Sequence, residues 1–371
     1  MAAALIFAVA LSMVEIHNHG LKPQKNKWVL LFLAYLPIHI YLAPAPTIDL
    51  GGMPVYNFWC WRPSFKILCF GLLFFTISSH TFLESEYKKV LKTILWVTTI
   101  VALYHVAQFF YTDQFMKQCA DGDWGRIGGF INNPVLTAPF VAIGLPIAIY
   151  FKDWLKATVI AIGVIIPDCQ IAWIAAVFSV LIYLALKNKK TFIIYSSIFI
   201  SACALFSFLY FTNVDFNNKF DDHERFHHWA QIFKDWTGAL DARNDIMNIF
   251  SLTGRGIGSF LYVYHIEHPG GTTTPNGFYQ AHNDLLELGY TMGFVGLFLF
   301  IAALFLVLTW IATRHLSMPG RAIFASLCAI FICAQTGFVL QIGSFCFYAV
   351  VLAGLLHNPS VYVFKKSIPA S

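Results

Sequence analysis

The sequence predicts an all-α, polytopic integral membrane protein: a helical bundle of about eleven to twelve transmembrane helices with one large polar loop on its outer face. Three observations predict it. Of the 371 residues, 58% are hydrophobic and only 12% charged, and the mean hydropathy is +0.65, outside the range of soluble globular domains. Apolar stretches close to the roughly 20 residues that a helix needs to cross a bilayer recur along the whole length. Alternating ten-residue strands are absent, which excludes a transmembrane barrel.

Taken in order, the apolar segments fall near residues 2–16, 27–44, 64–82, 90–111, 133–151, 155–167, 169–186, 191–211, 282–312, 321–338 and 340–357. The first lacks the basic n-region of a signal peptide and reads as a span. The pair over 155–186 is set by "IIPDCQ", whose proline divides one apolar run into two short helices; a single kinked helix there would invert every earlier loop. Basic residues test the count. Lys22, Lys25 and Lys27, then Lys88, Lys89 and Lys92, then Lys152 and Lys156, then Lys187, Lys189 and Lys190, then Arg314 and Arg321, and finally Lys365 and Lys366 all fall on one side when eleven spans are threaded. That side is the cytoplasm by the positive-inside rule. The net charge of +5 is thereby spent on orientation, and no nucleic-acid surface is indicated. The eight cysteines lie mostly in apolar segments and suggest neither a disulfide framework nor a metal cluster.

Residues 45–63, 112–132 and 212–281 remain for the outer face, the last being the large loop. No repeat or low-complexity tract divides the chain, so residues 1–371 read as one membrane domain. The loop closes on "QAHNDLLELGYTMGFVGLFLF", which places His282 and Asn283 at the outer membrane boundary. A neutral imidazole there can act as a general base; the plainer alternative is an interfacial cap on a span. Gly289, Gly293 and Gly296 would admit a neighbouring helix or a polyprenyl chain close to the backbone. Upstream, "TGRGIGSF" carries Gly254, Gly256 and Gly258 around Arg255, a turn whose amides could face a phosphate or simply reverse the chain. It lacks the Lys-Ser/Thr of a P-loop and the strand of a dinucleotide fold. Arg126 in "WGRIGGFINNP", Arg225 in "HERFHHW" and Arg243 in "DARNDIMNIF" are outer-face arginines whose guanidinium forks match phosphate oxygens. Each could instead pair with Asp222, Glu224 or Asp245 at the surface.

Four of these pieces, "RIGGFINNPVLTAPFVAIGLPIA", "RFHHW" or "ARNDIMNIF", "TGRGIGSF" and "HNDLLELGYTMGFVG", occur in an order and membrane context that resembles the O-antigen ligase and O-antigen polymerase superfamily over roughly residues 120–311. The resemblance implies a GT-C-like, all-helical membrane glycosyltransferase of the bacterial inner membrane, with 212–281 as a large periplasmic loop. Such an enzyme would move a glycan from an undecaprenyl diphosphate carrier to a hydroxyl acceptor, with inversion and with neither a metal ion nor another cofactor. Its partners would be that donor, lipid A-core or another hydroxyl acceptor, and membrane lipids, with no nucleic acid. Carried over, His282 becomes the base and Arg126 with Arg225, Arg243 or both the diphosphate ligands. Asn283, Gly254, Gly256, Gly258, Gly293 and Gly296 support the motifs. An acidic residue common before the first motif glycine is replaced by Thr291 and Met292, with Glu287 one turn earlier, and the first 110 residues match only in being spans. The pattern favours a ligase over a polymerase, and protein O-oligosaccharyltransferases, which share the same core, stand as a further alternative. Two readings from other classes stand beside it: a membrane zinc protease through His223-Glu224-x-x-His227, which has helix-face ligand spacing, and a non-enzymatic lipid-glycan transporter.

Overall fold

In the computed structural model the described residues are 27–42, 55–80, 82–110, 127, 129–131, 133–187, 229–234, 236, 252–254, 260, 281, 283–312, 316–335 and 343–358. Every regular element among them is a helix: α1 (Lys27–Leu42), α2 (Val55–Ser79), α3 (Glu84–Phe110), a 3₁₀ turn (Gly129–Ile131), α4 (Pro134–Ala142), α5 (Gly144–Phe151), α6 (Trp154–Ile165), α7 (Gln170–Lys187), α8 (Asp284–Ala312), α9 (Met318–Ala334) and α10 (Gly343–His357). Glu84–Phe110, Pro134–Phe151 and Asp284–Ala303 are long and apolar enough to cross a membrane, and shorter apolar helices accompany them. The expected spans at 2–16 and 191–211 lie outside the described residues.

The contacts form two compact units. The first takes Met1–His80, Arg225–Arg314 and Ala334–His357; the second takes Thr81–Glu224, His315–Cys333 and Asn358–Ser371. In the first, α1 packs against α8 and α2, and α10 packs against α2. Small residues set the approach, as they do where lipid gives helices no hydrophobic reason to associate. A Cβ on Gly71 would lie 2.5 Å from Leu33, and one on Gly354 would lie 2.9 Å from Ile77. Tyr35, Leu36 and Met292 form the seam of α1 on α8. Phe32 meets Phe300 at a ring separation of 6.0 Å, while Tyr35 reaches back to Met292, so the two helices run antiparallel.

The second unit turns on two reversals. Lys152 takes a left-handed conformation (φ 56) at the end of α5, its N–H bonding Ile149 O and that of Asp153 bonding Ala148 O, a Schellman closure. Asp153 then caps α6 through Lys156 N and pairs with the Lys156 ammonium, whose bond holds the Asp153 carboxyl below the usual range. The second reversal is the proline break. The Pro167 nitrogen carries no hydrogen, so the Gly163 carbonyl lacks its helical donor, and Asp168 at φ 50 turns the chain into α7. His105 Nδ1 lies 2.6 Å from that Gly163 oxygen, and Trp173 Nε1 donates to Val164 O at 3.2 Å. The split at "IIPDCQ" is therefore two helices, and both vacated carbonyls receive side-chain donors.

Basic side chains collect at one end of this unit. The Lys156 ammonium lies over the Trp96 ring at 4.3 Å and that of Lys92 over Phe151 at 5.7 Å. Tyr183 near the end of α7 clusters with Ala322 and Tyr150, bringing in Arg321. The lysines and arginine that the positive-inside rule assigns to one side thus meet in space. The Gly129 turn and the Pro167 break lie at the other end.

α3 and α6 touch through Gly163 and Ala102, where a Cβ on Gly163 would lie 2.5 Å from that of Ala102. Gly163→Ala is expected to lower the thermal unfolding midpoint of the detergent-purified protein, at a cost of about 1–3 kcal/mol for overpacking. Ile162→Ala, one residue away but 44% exposed, should leave the midpoint nearly unchanged.

Candidate functional site

The histidine motif begins at a well-built helix start. Asn283 caps α8, its Oδ1 accepting the Leu285 and Leu286 amides at 3.1 and 3.0 Å. Two buried carboxylates, Asp284 and Glu287, occupy the first turn, where the helix dipole favours negative charge. Glu287 Oε2 reaches back to accept the Ala281 N–H at 3.0 Å. On its other side Ala281 O accepts Trp229 Nε1 at 2.8 Å. His282 lies outside the described residues, yet its two chain neighbours are pinned, one by a side-chain cap and the other by a carboxylate and an indole.

Trp229 brings in the segment that follows Arg225. Residues 229–234 are helical, and Trp229, Ile232 and Trp236 recur at helical spacing. Ile232 and Trp236 are buried with Phe260, Ala281 and Tyr290. The far end of the Trp236 indole lies against Gly289, where a Cβ would stand 2.6 Å from it, and the ring meets Phe294 at 4.4 Å. The tryptophan of "RFHHW" is thus bonded, across about fifty residues of sequence, to Ala281, the residue that immediately precedes the "HNDLLELGYTMG" motif.

The glycine motifs meet as well. Gly293 breaks α8 with φ 68 and ψ −176, a region that glycine alone enters without strain. Gly254, at φ 76, lies against the break: a Cβ on Gly254 would overlap Thr291 O and Gly293 N, and one on Gly293 would overlap Leu252 O. The partner of Gly293 is accordingly the backbone of the "TGRGIGSF" turn. Gly296 sits over the Met292 side chain near Tyr35. The Thr291 hydroxyl bonds back to Glu287 O at 2.7 Å, a pattern that bends helices.

Such a break in apolar surroundings leaves main-chain carbonyls in need of donors. α1 provides them. Tyr35 Oη donates to Met292 O at 3.3 Å. Below it the His39 imidazole, fully buried, stacks on Tyr35 at 5.4 Å. It lies beside the Thr291 and Thr253 backbones, with neither nitrogen in a fully formed hydrogen bond. Neither Tyr35 nor His39 was singled out from the sequence. The signal was an ionisable residue within the apolar run "LPIHIYL", a placement that membranes penalise unless it has a task.

Arg126, Arg225, Arg243, Gly256, Gly258, His223, Glu224 and His227 lie outside the described residues. What the structure does give of the Arg126 motif is its continuation. Gly129 at φ 60 opens the 3₁₀ turn, its N–H donates to Gln108 Oε1 at 3.0 Å, and Asn133 caps α4 through Val135 N.

Gly293→Ala is expected to lower the unfolding midpoint, through a backbone cost of about 1–3 kcal/mol together with the clash against Leu252. Differential scanning fluorimetry against wild type measures it.

Residues 155–301 match the O-antigen ligase family model. No curated protein matches the chain. The matched span takes in the Pro167 reversal, Trp229, the Gly254 turn and the first part of α8, which supports a ligase- or polymerase-type glycosyltransferase role. The chain is a multi-pass helical membrane protein whose residues 155–301 match the O-antigen ligase family model.

Proposed function

We propose that this protein transfers a glycan from an undecaprenyl diphosphate carrier to a hydroxyl acceptor at the periplasmic face of the bacterial inner membrane, with inversion and without a metal ion, lipid A-core being the favoured acceptor. His282 removes the acceptor proton as the hydroxyl oxygen attacks the anomeric carbon. The bond from that carbon to the diphosphate breaks on the opposite face, and undecaprenyl diphosphate departs. Arg126 and Arg225 neutralise the charge that develops on it. Arg225 is preferred to Arg243 because Trp229, four residues on, bonds Ala281 beside His282. A sugar diphosphate is already a good leaving group, so orientation, charge neutralisation and one base suffice.

The observation that carries the reading is the fixed backbone on both sides of His282. Glu287 and Trp229 hold Ala281 while Asn283 caps the helix, as a base that must meet a particular hydroxyl requires.

The test supplies the purified protein with an undecaprenyl diphosphate glycan and, in parallel, lipid A-core, a second carrier-linked unit, or a pilin, each with and without chelator. Product on lipid A-core is expected, and His282→Ala should cut it by about 10²-fold or more. Product on the second carrier unit or on pilin alone would replace the ligase reading by a polymerase or a protein O-oligosaccharyltransferase. Full activity of His282→Ala, or loss on adding chelator to wild type, would overturn the mechanism.

A further inference from the structure

The reversal between α5 and α6 carries a lysine where a turn of this kind calls for glycine. Lys152, at φ 56, closes α5 at the left-handed position of a Schellman motif, where a Cβ is strained and glycine is usual. Its side chain is exposed and makes no ion pair among the described residues. A strained residue points to a use for its side chain, and what this side chain offers is charge. Other cations stand around it. The Lys92 ammonium lies at 5.7 Å over the ring of Phe151, the residue before Lys152, and it too meets no carboxylate among the described residues. One turn along α3, the Trp96 ring lies under the Lys156 ammonium at 4.3 Å. Lys88, one turn before Lys92, lies near Tyr150, and Tyr183 lies near both Tyr150 and Arg321. Arg321 Nε donates to Leu316 O at 3.1 Å and its Nη1 to the Met318 sulfur at 3.6 Å, both neutral groups. Glu84 pairs with Lys88 at 2.6 Å and Asp153 with Lys156, while Glu86 accepts the Leu83 amide at 3.0 Å. The charges of Lys92, Lys152 and Arg321 are left over.

Beside these charges the surface is apolar. Trp154 and Leu155, the first residues of α6, are 65% and 77% exposed, and Trp96 is 55% exposed. Indoles and a leucine next to uncompensated ammonium groups suit a membrane interface, with the apolar bodies among acyl chains and the charges at phosphate level. An acidic protein surface would match the charge and leave those side chains in water. We propose that the α5–α6 reversal, with Lys92 and Lys152 as its principal ligands, binds the phosphate of an anionic phospholipid headgroup in the leaflet at the basic end of the second unit. The site lies wholly within that unit and stands apart from the transfer chemistry proposed above.

The test titrates the full-length protein in neutral detergent with phosphatidylglycerol, with phosphatidylcholine and with free glycerol phosphate. Native mass spectrometry counts the bound molecules, and the unfolding midpoint is followed in parallel. Saturable binding of phosphatidylglycerol alone is expected, weakened by added salt. Lys92→Gln and Lys152→Gly should each weaken it about fivefold, and the double variant about twentyfold or more. Lys152→Gly relieves the backbone and should hold or raise the lipid-free midpoint, so that its loss of binding is not a loss of fold. Lys152→Arg should bind as wild type does. Phosphatidylcholine binding as tightly as phosphatidylglycerol, or unchanged phosphatidylglycerol binding in the double variant, would overturn the proposal. So would glycerol phosphate binding as tightly as the lipid, which would mark a site for soluble phosphates.

Discussion

A backbone carbonyl in an apolar, water-poor interior has to be given a donor by the protein itself, and the described structure depends on how that demand is met wherever a helix stops or breaks. Uninterrupted helix meets it internally. Elsewhere a side chain donates, from nearby in Trp173 to Val164 and from a distant part of the sequence in His105 to Gly163, Tyr35 to Met292, Trp229 to Ala281 and Ser326 to Ile143. Each bond leaves the fold with a break it can use. The Pro167 reversal separates α6 from α7, and the Gly293 break lets the "TGRGIGSF" turn cross α8 at backbone contact.

Breaks cluster where the candidate chemistry lies. α8 is regular from its Asn283 cap to the Thr291 back-bond, then interrupted at Gly293, so the His282 end is a short helix wedged between Trp236, the Gly254 turn and α1. Its neighbours are aromatic rings and glycines, which allow close approach without side-chain reorganisation. A reacting base benefits from such a mount, since small displacements from a productive geometry are costly. The Gly129 turn is held likewise, by the Tyr104–Phe130 ring stack, the Gln108 bond and the buried His105 imidazole of α3.

Much of the fold was legible. Hydropathy and length mark the helices, and the lysine pattern anticipates that Lys92, Lys156 and Arg321 share an end of one unit. The proline in "IIPDCQ" correctly divides α6 from α7, because a missing N–H is a local fact that no tertiary context repairs. The candidate site was legible in part. The motifs name His282, Asn283 and the glycines, but spacing could not say that Gly254 and Gly293 touch each other, since thirty-eight residues separate them. Glu287 was visible only as an acid one turn away from its expected place; its bond to Ala281 N gives it a use.

What the sequence by itself determined is therefore the class of the protein, its helices and breaks, and the residue types at its motifs, all of which follow from local chemistry: apolar length, a proline without a proton, glycines free to take positive φ. Tertiary structure alone decided which donor reaches which orphaned carbonyl. Tyr35 on Met292, His105 between Gly163 and Gly129, and Trp229 on Ala281 are pairings across longer sequence separations. They are fixed by the packing of α1 on α8, α3 on α6 and residues 229–234 with Trp236 on α8. No periodicity encodes them, because a buried carbonyl accepts any donor of suitable reach and only the packed helices decide which one arrives.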